Sequence, residues 1–139
     1  MKNWIFQGIP ERYDVADPKK VSAGKEETWL VTRYKDEMNP GDTVYLWRAG
    51  DKAKRGIYAV GKIESKPEYH EGWGWGVKVE YERRLTSHIP AEELASKSAM
   101  KDHLLFKMPI GTNFSLTEDQ SLDIQNELPH HLSVKGEEE

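Results

Sequence analysis

The run Thr43-Val44-Tyr45-Leu46-Trp47-Arg48 constrains this 139-residue chain more than any other segment. Side chains alternate across a strand, so Val44 and Leu46 share one face while Tyr45 and Trp47 share the other. Both faces are apolar, which places the strand inside a sheet covered on two sides. The turn signal Asn39-Pro40-Gly41-Asp42 introduces it. After the loop Arg48-Ala49-Gly50-Asp51-Lys52-Ala53-Lys54-Arg55, a second apolar run over 56–63 returns as its hairpin partner.

The rest of the chain supplies a sheet and a few helices. Trp4-Ile5-Phe6-Gln7 reads as the first strand, ended by Gly8-Ile9-Pro10. Residues 14–25 read as a short helix or a structured loop broken by Pro18. Trp29-Leu30-Val31 is apolar, and 32–38 reads as one or two helical turns. Val77-Lys78-Val79-Glu80-Tyr81-Glu82 alternates cleanly, which predicts a strand with one wet face. Pro90 followed by Glu92 and Glu93 predicts a short helix over 89–95. Thr117 with Gln120 three residues on forms a capping box for a helix over 118–128, with Pro129 as its stop. The fold class is α+β and β-dominated: one domain over 1–130, then a disordered acidic tail over 131–139.

Composition excludes several chemistries. The chain has no cysteine, hence no disulfide, thiolate nucleophile or thiolate metal site, which agrees with a reducing cytoplasm. No run reaches the roughly 18 apolar residues of a membrane span, and the N-terminus reads as a strand rather than a signal peptide; a cytoplasmic protein without a membrane partner is expected. His70, His88, His103, His130 and His131 lack metal-ligand spacing, and no carboxylate pair or nucleophile elbow stands out. A non-enzyme with no cofactor and no metal is therefore expected. A small hydrolase using Ser, His and Asp brought together by folding is the minor alternative.

The net charge of −4 opposes a nucleic-acid partner, but it hides an asymmetry. Residues 1–66 hold 13 Lys/Arg against 10 Asp/Glu, while residues 67–139 hold 7 against 14. The basic loop gives the first half Arg48, Lys52, Lys54 and Arg55. As a short charge run, it fits a solvated hairpin loop as well as a phosphate-contacting one.

Aromatic residues carry the functional signal. Of five tryptophans, Trp73 and Trp75 stand in Gly72-Trp73-Gly74-Trp75-Gly76, where glycines do nothing to bury them. Such a segment suits a loop that offers flat surface for stacking or cation–π contact. Trp29 follows the polar stretch Gly24-Lys25-Glu26-Glu27-Thr28, at a junction where its ring can enter a cavity or the core. Trp4 reads as core, and Trp47 fits either role.

The segments Asn3-Trp4-Ile5-Phe6-Gln7, Thr28-Trp29-Leu30-Val31, Asn39 to Trp47, Gly56-Ile57-Tyr58-Ala59-Val60-Gly61 and Gly111 to Thr117 together resemble an EVE domain of the PUA-like superfamily, related to YTH domains. The resemblance spans about residues 2–128. It implies a pseudo-barrel of about five or six strands with flanking helices, and an aromatic cage that accepts one methylated or hydroxymethylated nucleobase in DNA or RNA. By position it implies Trp29 as one cage wall and Trp73 or Trp75 as the other. Gln7, Thr112, Asn113 and Trp47 complete the expected pocket, and Arg33, Lys35, Arg48, Lys52, Lys54 and Arg55 are the expected phosphate contacts. A separately encoded effector protein is a further implied partner. The same cage would alternatively suit a free nucleoside or a cationic metabolite.

Overall fold

In the computed structural model, which describes residues 1–107 and 110–132, seven strands form one curled sheet. They are β1 (Asn3–Gly8), β2 (Glu26–Leu30), β3 (Thr43–Arg48), β4 (Gly56–Ile63), β5 (Glu68–His70), β6 (Gly74–Pro90) and β7 (Asn113–Ser115). Six follow the order β2-β6-β4-β3-β1-β7, and β5 pairs with β6 beside that path. β3 lies between β4, antiparallel, and β1, parallel, as its two apolar faces require. The α-helices are α1 (Ala91–Ala95) and α2 (Glu118–His131), with 3-10 turns at Met100–Asp102 and Leu104–Phe106 between them.

Each face of the sheet has its own core. Val44 and Leu46 join Trp4, Phe6, Trp29, Val77, Val79 and Tyr81 inside the curl. Tyr45 and Trp47 join Ile5, Ile57 and Ile89 under the helices, against Leu94 of α1 and Ile124 of α2.

Several elements differ from expectation. The alternating strand expected over 77–82 runs from Gly74 to Pro90, because register shifts against β4, between Ile57 and Ala59 and between Val60 and Gly61, let one strand serve both cores. Gly56 allows this close pairing: at φ 152° a Cβ there would stand 2.0 Å from the Ile89 carbonyl oxygen. Residues 14–25 form the structured loop, one of their two expected forms, and 32–38 form turns rather than helix. Arg84 supplies the order in the first of these, donating to the carbonyls of Val15 and Val21 at 3.1 Å each and to that of Ala16. β5 and β7, three residues each, are too short for a periodic signal.

α2 starts with the expected capping box: Thr117 Oγ1 accepts from Gln120 N at 3.1 Å, and Gln120 Oε1 accepts from Thr117 N at 2.9 Å. It then passes Pro129 and ends at His131, since a proline in the last turn removes only one ladder donor. The helix thus enters the expected tail, whose residues 133–139 lie outside the described ones.

Asn113 closes the seam where β2 meets β7. Fully buried, it accepts from Thr32 N at 2.8 Å through Oδ1 and donates to the Leu30 carbonyl at 3.1 Å through Nδ2. No helix among the described residues is long and apolar enough to cross a membrane.

Candidate nucleobase site

Beside that seam, the end of β1 and the outer edge of β2 enclose a cavity of ≈ 260 Å³. It is lined by Gln7, Gly8, Ile9, Arg12, Tyr13, Glu27, Thr28, Trp29, Leu30 and Thr112. The volume lies just under the roughly 300 Å³ where ligand pockets begin, so it suits one planar ring more than a whole nucleotide. The chain approaches closely here: a Cβ on Gly8 would lie 2.6 Å from the Tyr13 carbonyl and 3.5 Å from the Trp29 ring.

Trp29 is fixed by a hydrogen-bonded chain. Its Nε1 donates to Tyr81 Oη at 2.9 Å, the Tyr81 and Tyr13 hydroxyls meet at 2.8 Å, and Tyr13 donates to the Lys20 carbonyl at 3.2 Å. Lys20 offers only an acceptor, so the order runs Trp29 to Tyr81 to Tyr13 to Lys20. Burial raises both tyrosine pKa values above the ordinary phenol range, so the chain keeps its protons at all physiological pH.

The backbone of β2 adds donors and acceptors. Val31 N bonds the Trp75 carbonyl at 2.9 Å and Tyr81 N bonds the Lys25 carbonyl at 2.8 Å, so the odd-numbered residues face β6. Leu30 and Thr32 turn the other way, toward Asn113. By the same alternation, the Thr28 N–H and C=O and the Leu30 N–H lie along the cavity edge. Gln7 is anchored opposite: its N donates to the Thr112 carbonyl at 2.8 Å and its Nε2 to the Gly111 carbonyl at 2.7 Å.

Three expected pocket residues, Trp29, Gln7 and Thr112, thus share one cavity. The others are elsewhere. Asn113 is the seam clamp, and Trp47, 1% exposed, borders a different cavity. Trp75 lines a concavity of ≈ 370 Å³ with residues 31–37, where Lys35 Nζ sits 4.6 Å from its ring. Trp73 folds over Gly76 and stacks on His70 at 4.5 Å. Neither faces Trp29. The second aromatic at the cavity is Tyr13, which meets Trp29 edge to face at 86° and 5.4 Å. Those two rings touch and Trp29 is only 6% exposed, so no gap between them admits a planar ring.

The expected phosphate contacts also divide. Arg33 donates to the Asn113 carbonyl at 3.1 Å and lies over Phe114, and Arg48 pairs with Asp14 at 3.1 Å with 12% of its side chain exposed. Both are held within the fold. Lys52 and Lys54 are exposed, and Arg55 is half-buried. Tyr13, Arg12 and the β2 edge carry no local sequence pattern that marks them as site residues.

Two polar clusters lie apart from this cavity. His131 accepts or donates at Ser87 Oγ through Nδ1, 3.2 Å, and meets Glu93 through Nε2, 2.9 Å, on the helical side. Glu127 completes a group with Glu93 and His131 whose ligand atoms fall within 4.8 Å of one another, but Lys97 already pairs with Glu127 at 2.8 Å.

A curled six-strand path with helices on its outer face and a ring-sized cavity beside its closed seam defines a PUA-like domain. The EVE domain model matches residues 2–127, and the chain belongs to that family. No curated protein matches it by sequence. The NMR structure of Rpa0253 from Rhodopseudomonas palustris superposes with a TM-score of 0.75 at 13% identity, covering 94% of each chain. A hypothetical protein from Leishmania major gives 0.71 at 15% identity, covering 94% of this chain and 96% of its own. Human THYN1, solved in complex with 5-methylcytosine containing DNA, gives 0.66 at 18% identity, covering 88% and 98%.

Proposed function

We propose that this chain is a non-catalytic reader of a single modified nucleobase, with a 5-methylated cytosine in DNA as the first candidate. The observation that carries this reading is the ≈ 260 Å³ cavity in which Trp29 and Tyr13 adjoin the outer edge of β2 and the Gln7 side chain. A base leaving its strand stacks on one aromatic ring, worth about 1–3 kcal/mol. The half-exposed Ile9 and Leu30 supply apolar contact on other sides. The Thr28 and Leu30 backbone groups with Gln7 read the edge, where a mismatched partner leaves a buried group unpaired. A buried methyl adds about 0.8 kcal/mol, and the void left by the unmodified base brings discrimination to roughly tenfold.

Family membership and the DNA complex of THYN1 support this class of ligand. A cytoplasmic location and a separately encoded effector belong to the same reading, as does a binding rather than a catalytic role. Ser87, His131 and Glu93 do form a hydrogen-bonded series, but Ser87 is exposed and none of the three lines the cavity.

The test is a binding series of single-stranded and duplex oligonucleotides carrying 5-methylcytosine, hydroxymethylcytosine, methylated adenine or no modification. One modified base binding about tenfold above its control, with the preference lost in Gln7→Leu, supports the reading. Equal affinity for all of them contradicts it. Binding of the free nucleoside as tightly as the oligonucleotide, without salt dependence, favours the small-molecule alternative.

A further inference from the structure

Gln7 borders a second, smaller cavity of ≈ 160 Å³, formed with Trp47, Gly50, Arg55 and Phe106. Two of its lining side chains carry buried donors that meet no acceptor among the described residues: Trp47 Nε1 and Arg55 Nε. Trp47 is 1% exposed, so solvent at the surface does not serve its N–H. An unmet buried donor is costly, and the large majority of such groups in folded proteins are paired. Two in one cavity mark a place for a partner.

The chemistry of that partner follows from the donors. Indole and guanidinium are donor-only groups, so the occupant is an acceptor. Arg55 makes no ion pair among the described residues, so its positive charge has no protein counter-ion there. An oxyanion satisfies both demands, and a guanidinium favours phosphate. The indole ring and the backbone that carries the guanidinium are held in place beforehand. The Trp47 ring lies edge-on to Phe106 at 5.9 Å, and the Arg55 carbonyl accepts from Ala91 N at 2.9 Å, just before the close contact at Gly56.

We propose that this cavity is an oxyanion subsite, and that it takes a backbone phosphate of the strand whose modified base occupies the neighbouring cavity. The phosphodiester assignment rests on the base-reading function; the oxyanion chemistry rests on Trp47 and Arg55 alone. Gln7 then stands between base and phosphate, one side chain bordering both.

The experiment follows the five indole N–H signals of the ¹⁵N-labelled protein, with the Trp47 signal assigned by its loss in Trp47→Phe. Inorganic phosphate is titrated first, then a modified-base oligonucleotide, then the same oligonucleotide with one flanking phosphate replaced by a neutral methylphosphonate. The expected result is a saturable shift of the Trp47 signal with phosphate, weakened about tenfold in Arg55→Gln and less in Arg55→Lys, both with otherwise unchanged spectra. The methylphosphonate lowers wild-type affinity about tenfold and leaves Arg55→Gln indifferent. Equal movement of all five signals means an adventitious ion only and overturns the subsite. So does a Trp47 signal that responds to neither phosphate nor oligonucleotide, or an oligonucleotide that binds with no methylphosphonate penalty while base preference persists. A phosphate response without any modified-base binding upholds the oxyanion site and instead removes the base-reading function.

Discussion

Trp29 and Tyr81 meet across the inside of the curled sheet, with the indole Nε1 donating to the phenol oxygen at 2.9 Å. The bond ties the cavity wall to the middle of β6, so the shape of the site depends on the barrel core. Tyr81→Phe keeps the ring and removes the acceptor. It leaves a buried indole N–H unpaired and is expected to cost about 1–3 kcal/mol. A lower urea midpoint at an unchanged slope, together with weaker binding of the modified base, is the outcome to look for.

Asn113 holds the seam beside the same cavity through its bonds to Thr32 N and the Leu30 carbonyl. Asn113→Ala strands both backbone groups and is expected to destabilise by about 3 kcal/mol. Hydrogen exchange at the Thr32 amide should accelerate more than exchange in β3, because the seam opens before the central strands do. Uniform acceleration across the sheet would show that the seam does not open on its own.

Arg84 binds three carbonyls of the 14–25 segment with a fork that lysine lacks. Arg84→Lys should leave the sheet intact while raising protease cleavage between Asp14 and Gly24. Because Tyr13 enters the cavity from the residue just before this segment, base affinity should fall with it.

His103 is buried and neutral. Its Nδ1 accepts from Leu105 N at 3.0 Å and its Nε2 meets the Ser115 carbonyl at 2.8 Å, which fixes one tautomer. Burial, opposed by the Ser115 bond, lowers its pKa below the usual 6.5, and burial lowers that of His88 as well. The unfolded chain then binds more protons than the folded one below about pH 6.5, so stability is present above that pH and is lost as the pH falls through the window. Urea midpoints should drop between pH 7 and 5, and His103→Gln should flatten the decline. A midpoint independent of pH in that range would contradict the assignment.

The parts of the fold legible from sequence are those with a strong local period or cap. The two-faced apolar run of β3, the capping box at Thr117 and the alternation of Val77, Val79 and Tyr81 each determine their own element. What escaped them depends on partners far along the chain. β6 continues to Pro90 because β4 bulges opposite it, and the 14–25 loop is ordered by Arg84 about 65 residues away in sequence. The site divides in the same manner. Trp29 and Gln7 lie in or beside strands that the resemblance locates, so their shared cavity follows from the family pattern. Tyr13 sits in a turn without periodicity, and the glycine-flanked Trp73 and Trp75 read as a cage wall although the hairpin carries them to other surfaces.

Base reading at this cavity is tested by titrating the ¹⁵N-labelled protein with a short strand containing one 5-methylcytosine, against the unmethylated strand. The Thr28 and Leu30 amides and the Trp29 indole are expected to move most, and methylation to tighten binding by roughly tenfold. Shifts confined to Trp75, Lys35 and the 31–37 turn, or equal affinity for both strands, would contradict it.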